Sequence, residues 1–101
     1  MNDRPLLPED ATDARELAEL FKVLSVETRV RILQMLRERP LCVNALAGRV
    51  GVTHSAVSQH LRVLRGAGLV SAHKQGYFVH YRLQEKAVED LRRVLHGFLA
   101  E

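Results

Sequence analysis

The chain has 101 residues, 47% of them hydrophobic and 27% charged, which leaves room for one domain and not for two cores. No apolar run approaches the roughly 18–20 residues of a membrane helix, and residues 1–13 carry acids and prolines instead of the apolar stretch of a secretory signal. A single cysteine, Cys42, excludes an internal disulfide framework, so a chain of net charge +3 reads as a small cytoplasmic protein.

Residues 1–10 lack periodicity and include Pro5 and Pro8, which predicts a flexible arm ahead of one domain over residues 11–101. From Thr12 the pattern turns helical, with Ala14, Leu17, Ala18, Phe21 and Leu24 recurring at three and four. Ser25 reads as the N-cap of a second helix, with Glu27 and Thr28 in its first turn and Val30, Ile32, Leu33 and Leu36 on its apolar face. Pro40 forbids its continuation, and Leu41 to Val43 leave room only for a small strand or an extended link.

Asn44 reads as the cap of a short helix from Ala45 to Val50, which Gly51 stops. Thr53 caps the next helix, whose buried face holds Ala56, Val57, His60, Leu61 and Leu64, and which Gly66 and Gly68 end. His60 lies near that apolar side and reads as a hydrogen-bonded packing residue. Two helices joined by a turn of about three residues containing glycine form the helix-turn-helix pattern. Leu69–Lys74 and Phe78–Leu83 read as strands bridged by Gln75, Gly76 and Tyr77. A last helix runs from about Glu85 to Leu99, with Val88, Leu91, Val94, Leu95 and Phe98 along one side. The fold predicted is mainly α with a small β-hairpin, a winged helix-turn-helix in the order α-α-(β)-α-α-β-β-α.

The chemistry concentrates in the middle of the chain. Between Arg39 and Gln84 there is no Asp or Glu, against Arg39, Arg49, Arg62, Arg65, Lys74 and Arg82 and four histidines. An all-basic centre flanked by mixed-charge ends is the footprint of a surface that meets a polyanion. In the second helix of the pair, Ser55, Ser58, Gln59 and Arg62 recur at three, four and seven on the face opposite the apolar one. Gln pairs with adenine, Arg with guanine or phosphate, and Ser with either. Thr53 and His54 stand at the helix N-terminus, where free N–H groups attract phosphate. An ordinary solvent face would carry Glu and Lys, whereas this one has short hydrogen-bonding side chains and no carboxylate. The hairpin tip adds Lys74 and Gln75, placed to reach the backbone or the minor groove.

The stretches Ser25-Val-Glu-Thr-Arg-Val-Arg-Ile-Leu, Ser55-Ala-Val-Ser-Gln-His-Leu-Arg-Val-Leu, Gly66-Ala-Gly-Leu-Val and Gly76-Tyr-Phe-Val-His-Tyr-Arg-Leu resemble the ArsR/SmtB family of bacterial repressors, over roughly residues 14–99. The resemblance implies a homodimer that binds double-stranded operator DNA and leaves it when an effector binds. The residues give dimerisation a reason of their own, since a core this small cannot cover the apolar stripes of both end helices. Pairing those helices across a two-fold axis would bury Leu17, Phe21, Leu91, Leu95 and Phe98 and set two recognition helices about 34 Å apart, facing a palindromic operator.

Members of that family often sense metals, through a Cys-x-Cys at the start of the third helix or through Asp, His and Glu between the last helices. The matching positions here are Cys42 with Asn44, and Glu85, Ala87, Phe98 and Glu101, so both ligand sets are incomplete and no cofactor is expected. Cys42 stays as a possible effector or redox residue. His73 and His80 read as diagonal neighbours across the hairpin.

Phosphate-binding and metalloprotease signatures are missing, and no acid lies in the basic segment to orient a histidine for catalysis. The chain therefore reads as a sequence-specific DNA-binding regulator and not an enzyme. The alternative is an architectural or protein-interaction module on the same fold, but backbone-only DNA binders need Lys and Arg more than Gln and Ser.

Overall fold

A computed structural model describes residues 14–100. The arm expected over residues 1–10, the helix start expected at Thr12 and the position of Glu101 lie outside the described residues. The elements run α1 (Ala14–Leu24), α2 (Glu27–Glu38), β1 (Leu41–Cys42), α3 (Val43–Val50), α4 (His54–Gly66), β2 (Val70–Gln75), β3 (Phe78–Leu83) and α5 (Glu85–Leu99). This is the predicted order, with a small antiparallel sheet arranged β1-β3-β2.

One core joins the helix pair to the sheet. Ile32 and Leu36 of α2, Leu46 and Val50 of α3, and Val57, Leu61 and Leu64 of α4 are buried together with Leu41, Leu69, Val70 and Ala87. Each such Val, Leu or Ile side chain contributes about 1.5–3 kcal/mol by leaving water, so the spacing of three and four in the helices is what fixes their mutual packing. Gly51 ends α3 at φ 81, a left-handed conformation that places its N–H 2.9 Å from the Ala47 carbonyl oxygen.

Three local expectations are corrected. Ser25 does not cap α2, because its hydroxyl donates back to the Lys22 carbonyl oxygen at 2.8 Å and closes α1, and Val26 takes the N-cap position without a side-chain bond. Asn44 does not cap α3 either. β1 holds Cys42 extended, at φ −86 and ψ 168, and the helix begins directly after it at Val43, so Asn44 is an exposed residue of the first turn. The hairpin loop is two residues long, not three, with Gln75 paired to Phe78 and Gly76 at φ 63 in the first turn position. A two-residue turn with glycine there matches the twist of the flanking strands.

The end helices also cover each other more than the sequence suggests. Leu17 and Leu20 of α1 pack on Val94 of α5, with exposures of 3%, 5% and 1%, and Leu24 and Leu91 border them. Leu17 is thus buried within its own chain and offers no free surface to a partner, a correction to its expected place in an interface. Phe21 and Phe98 meet edge to face with centroids 5.8 Å apart, yet both keep an outer side in solvent.

Candidate nucleic-acid interface

Helix α4 starts at Thr53, whose Oγ1 accepts a hydrogen bond from the Ala56 N–H at 3.0 Å. That cap fixes the rotation of the first turn, and the burial of Val57, Leu61 and Leu64 fixes the rest. Ser55, Ser58, Gln59 and Arg62 consequently emerge on one exposed stripe, with Thr53 and His54 exposed at its N-terminal end. His60 lies between the stripe and the core, half-buried, and accepts a hydrogen bond at Nδ1 from Nε of Arg29 at 3.3 Å.

Beside the stripe an open cleft of about 470 Å³ separates α4 from the hairpin, lined by Ser58, Leu61, Arg62, Arg65, Gly66 and Tyr81. Two guanidinium groups, a serine hydroxyl and a phenol around one cleft suit a phosphate. Arg65 and Tyr81 were not singled out by sequence, because the cleft exists only once β3 folds back beside α4. No carboxylate lies within residues 39–84 to neutralise these cations from their own segment.

The hairpin divides its two candidate residues. Side chains alternate along a strand, so Lys74 shares a face with Ala72 and with Tyr81, which lines the cleft. Gln75 points to the opposite face, with His73 and His80. Lys74 therefore lies on the side of the sheet that faces the cleft, and Gln75 on the other.

That opposite face also settles the histidine pair. His73 and His80 are direct cross-strand partners, not diagonal ones, and Cys42 is the direct partner of His80 on the other side. Cys42 is half-buried, His80 Nδ1 is buried without a hydrogen-bond partner, and His73 Nε2 lies 2.8 Å from Ser71 Oγ. The positions where the resemblance implies a metal do not fit one. Cys42 is followed by a solvent-facing Asn44, while Ala87 is a buried core residue and Phe98 an aromatic in ring contact with Phe21. Among the described residues no group of three or more His, Cys, Asp or Glu could hold a metal ion. No described helix is long and apolar enough to cross a membrane.

Comparison with known proteins agrees with this geometry. Residues 27–72, from α2 into β2, match the family model described as bacterial regulatory protein, arsR family. The HTH-type transcriptional regulator NmtR of Mycobacterium tuberculosis is 39% identical over 89 residues, which cover 88% of this chain and 74% of that protein. A transcriptional repressor SmtB homolog of Synechocystis sp. is 38% identical over 88 residues, 87% of this chain and 67% of that protein. The solved structure of an ArsR-like transcriptional regulator from Rhodococcus sp. RHA1 is similar at a TM-score of 0.73 and 35% identity, covering 82% of this chain and 78% of that one. The chain therefore belongs to the arsR family, as a winged helix-turn-helix DNA-binding transcriptional regulator and not an enzyme.

Proposed function

We propose that the chain acts in the cytoplasm as a homodimeric repressor that reads a palindromic operator with α4 and leaves it when an effector binds. The observation that carries this reading is the stripe of Ser55, Ser58, Gln59 and Arg62, exposed along its length and free of carboxylates. Gln59 supplies the base contact, with Ser55 and Ser58 as shorter partners, and Thr53, His54 and Arg62 hold the backbone at the two ends of the stripe. Lys74 of the wing adds a phosphate contact on the cleft side, and Gln75 reaches the flank from the other face. Repression, rather than activation, is supported by the Synechocystis relative that is named a repressor.

The dimer rests on what α1 and α5 leave uncovered. Phe21 is 36% exposed, Phe98 51% and Leu99 74%, while Leu91 and Leu95 are half-buried beside them. An apolar patch of this kind at one end of a small domain is suited to self-association, and a two-fold axis through it repeats the recognition helix once per DNA turn.

Selection of binding sites from a random duplex pool, followed by gel shifts at stated salt with random competitor, tests the reading. The selected site is expected to be an inverted repeat, and Gln59→Ala to lower the ratio of specific to random binding by about tenfold. Selection that yields no common site removes sequence-specific recognition and leaves an architectural module.

A further inference from the structure

From His73 to Val79 every residue of the hairpin is exposed, whereas Tyr81, Leu83 and Val70 at its base pack into the core. The outer half of the wing therefore stands clear of the body, by about 10 Å at some 3.3 Å per strand residue. Its tip is apolar. Tyr77 is 100% exposed, Phe78 57% and Val79 40%. Tyr77 gains nothing from the folded monomer and Phe78 keeps more than half of its surface in water, although burying a large apolar side chain is worth about 1.5–3 kcal/mol. A loop placed only to connect two strands would carry small polar residues at these positions.

The surroundings say what the tip meets. Lys74, Gln75 and His73 flank it, and the whole segment from Arg39 to Gln84 lacks acids. Lys74 lies opposite Val79 on the face of the cleft beside α4, and Phe78 lies opposite Gln75 on the other face. A partner for this tip needs negative charge on its rims and an apolar slot between them. The minor groove of DNA has that profile, about 6 Å wide, walled by sugar C–H groups and edged by phosphates.

Resting on the reading of α4 as the major-groove helix, we infer that Tyr77 is a minor-groove wedge that makes the wing selective for A·T pairs flanking each half-site. The ring lies edge-on between the sugar walls, and its hydroxyl donates to the N3 of adenine or O2 of thymine on the floor. The exocyclic amino group of guanine, which projects from that floor, excludes it. Lys74 holds the adjacent phosphate, and the narrow groove of A·T runs deepens the negative potential around both. Gly76 at φ 63 sets the turn that presents Tyr77, with nothing within 4 Å of the position its Cβ would take.

The test uses the full chain on a selected site whose flanking pairs are A·T, inosine·cytosine or G·C. Inosine·cytosine differs from G·C by lacking the minor-groove amino group while keeping its major-groove face. The unaltered protein is expected to bind the first two alike and the third about tenfold more weakly. Tyr77→Ala is expected to bind all three alike, at the weaker level, with an unchanged melting temperature because the side chain touches nothing. The chain has no tryptophan, so Tyr77→Trp places a single indole at the tip, and operator with A·T flanks should shield its emission from acrylamide. If Tyr77→Ala keeps the unaltered protein's preference among the flanks, or binds all three as tightly as it does, the wedge is overturned. A loss on changing major-groove pairs under α4 in the same experiment assigns that failure to the wing alone. Insensitivity to those pairs as well overturns the reading of α4 on which the wedge rests.

Discussion

Arg29 and His60 are 31 positions apart in sequence and joined by one hydrogen bond, with the guanidinium Nε donating to the imidazole Nδ1 at 3.3 Å. The same guanidinium donates from Nη1 to the Val23 carbonyl oxygen at 3.2 Å. One side chain of α2 thus ties the last turn of α1 to α4, the helix proposed to read DNA. Because Arg29 has no acceptor, His60 must carry its proton on Nε2 for this bond to exist.

Removing the tie should loosen α4 without touching its exposed stripe. Arg29→Ala is expected to cost about 1–3 kcal/mol, since it leaves a half-buried carbonyl and imidazole unpaired. For a domain of this size that lowers the melting temperature by roughly 4–8 °C per kcal/mol, measurable by circular dichroism. Arg29→Lys, which cannot serve both acceptors with one planar fork, should recover only part of the loss.

The cap of the reading helix offers a narrower test. Thr53→Ala removes the acceptor for the Ala56 N–H and should destabilise by about 1 kcal/mol, whereas Thr53→Ser keeps the bond and the stability. Chemical denaturation of the two variants side by side checks this, and equal midpoints would show that the cap is not holding the helix start.

Two glycines of the helix pair should respond to alanine in opposite directions. Gly48 lies inside α3, exposed, and an added Cβ meets nothing within 4 Å, so Gly48→Ala should stabilise by about 0.5–1 kcal/mol. Gly51 has equally open space but a φ of 81, so Gly51→Ala should destabilise by about 1–2 kcal/mol through the backbone alone. Thermal melts of both variants provide the comparison.

Salt dependence separates positioning contacts from reading contacts. Arg65→Ala and Lys74→Ala should weaken binding on every sequence by a similar factor, and each should reduce the slope of log affinity against log salt by about one. Gln59→Ala should leave that slope unchanged. A wild-type slope in the Arg65→Ala variant would remove the cleft beside Tyr81 from the phosphate path.

The free aromatic edge of the end helices governs assembly in the proposed function. Phe98→Ala deletes the ring that touches Phe21 and remains half in solvent, and it is expected to shift the dimer toward monomer at micromolar concentration. Sedimentation velocity reads the shift directly. A monomer for the unaltered chain at the same concentration would sink the two-fold arrangement.

The helices were legible because their apolar spacing is regular and because Pro40, Gly51 and Thr53 punctuate them with specific backbone chemistry. Thr53 caps α4 as its residue type predicts. Ser25 and Asn44 are equally good caps by type, but one hydroxyl was captured by the preceding helix and the other residue was overtaken by a helix that starts from a strand. The exposed stripe of α4 follows from periodicity alone. The Arg62–Arg65–Tyr81 cleft and the row of Cys42, His80 and His73 do not, because both depend on register between elements far apart in the chain. Leu17 was misplaced for a related reason: an amphipathic stripe shows that a face will be covered, not whether the cover comes from the same molecule.

The two residues of β1 have a mechanical consequence out of proportion to their length. Leu41 and Cys42 are laced to Tyr81 and His80 of the wing, and Cys42 is also the residue from which α3 springs. The base of the wing and the helix pair are therefore tied together by backbone pairing, and they form one head. In the proposed dimer, a signal that releases such a head from its site has little to gain by bending it, and acts most directly by changing how far apart, or at what tilt, the two heads are carried.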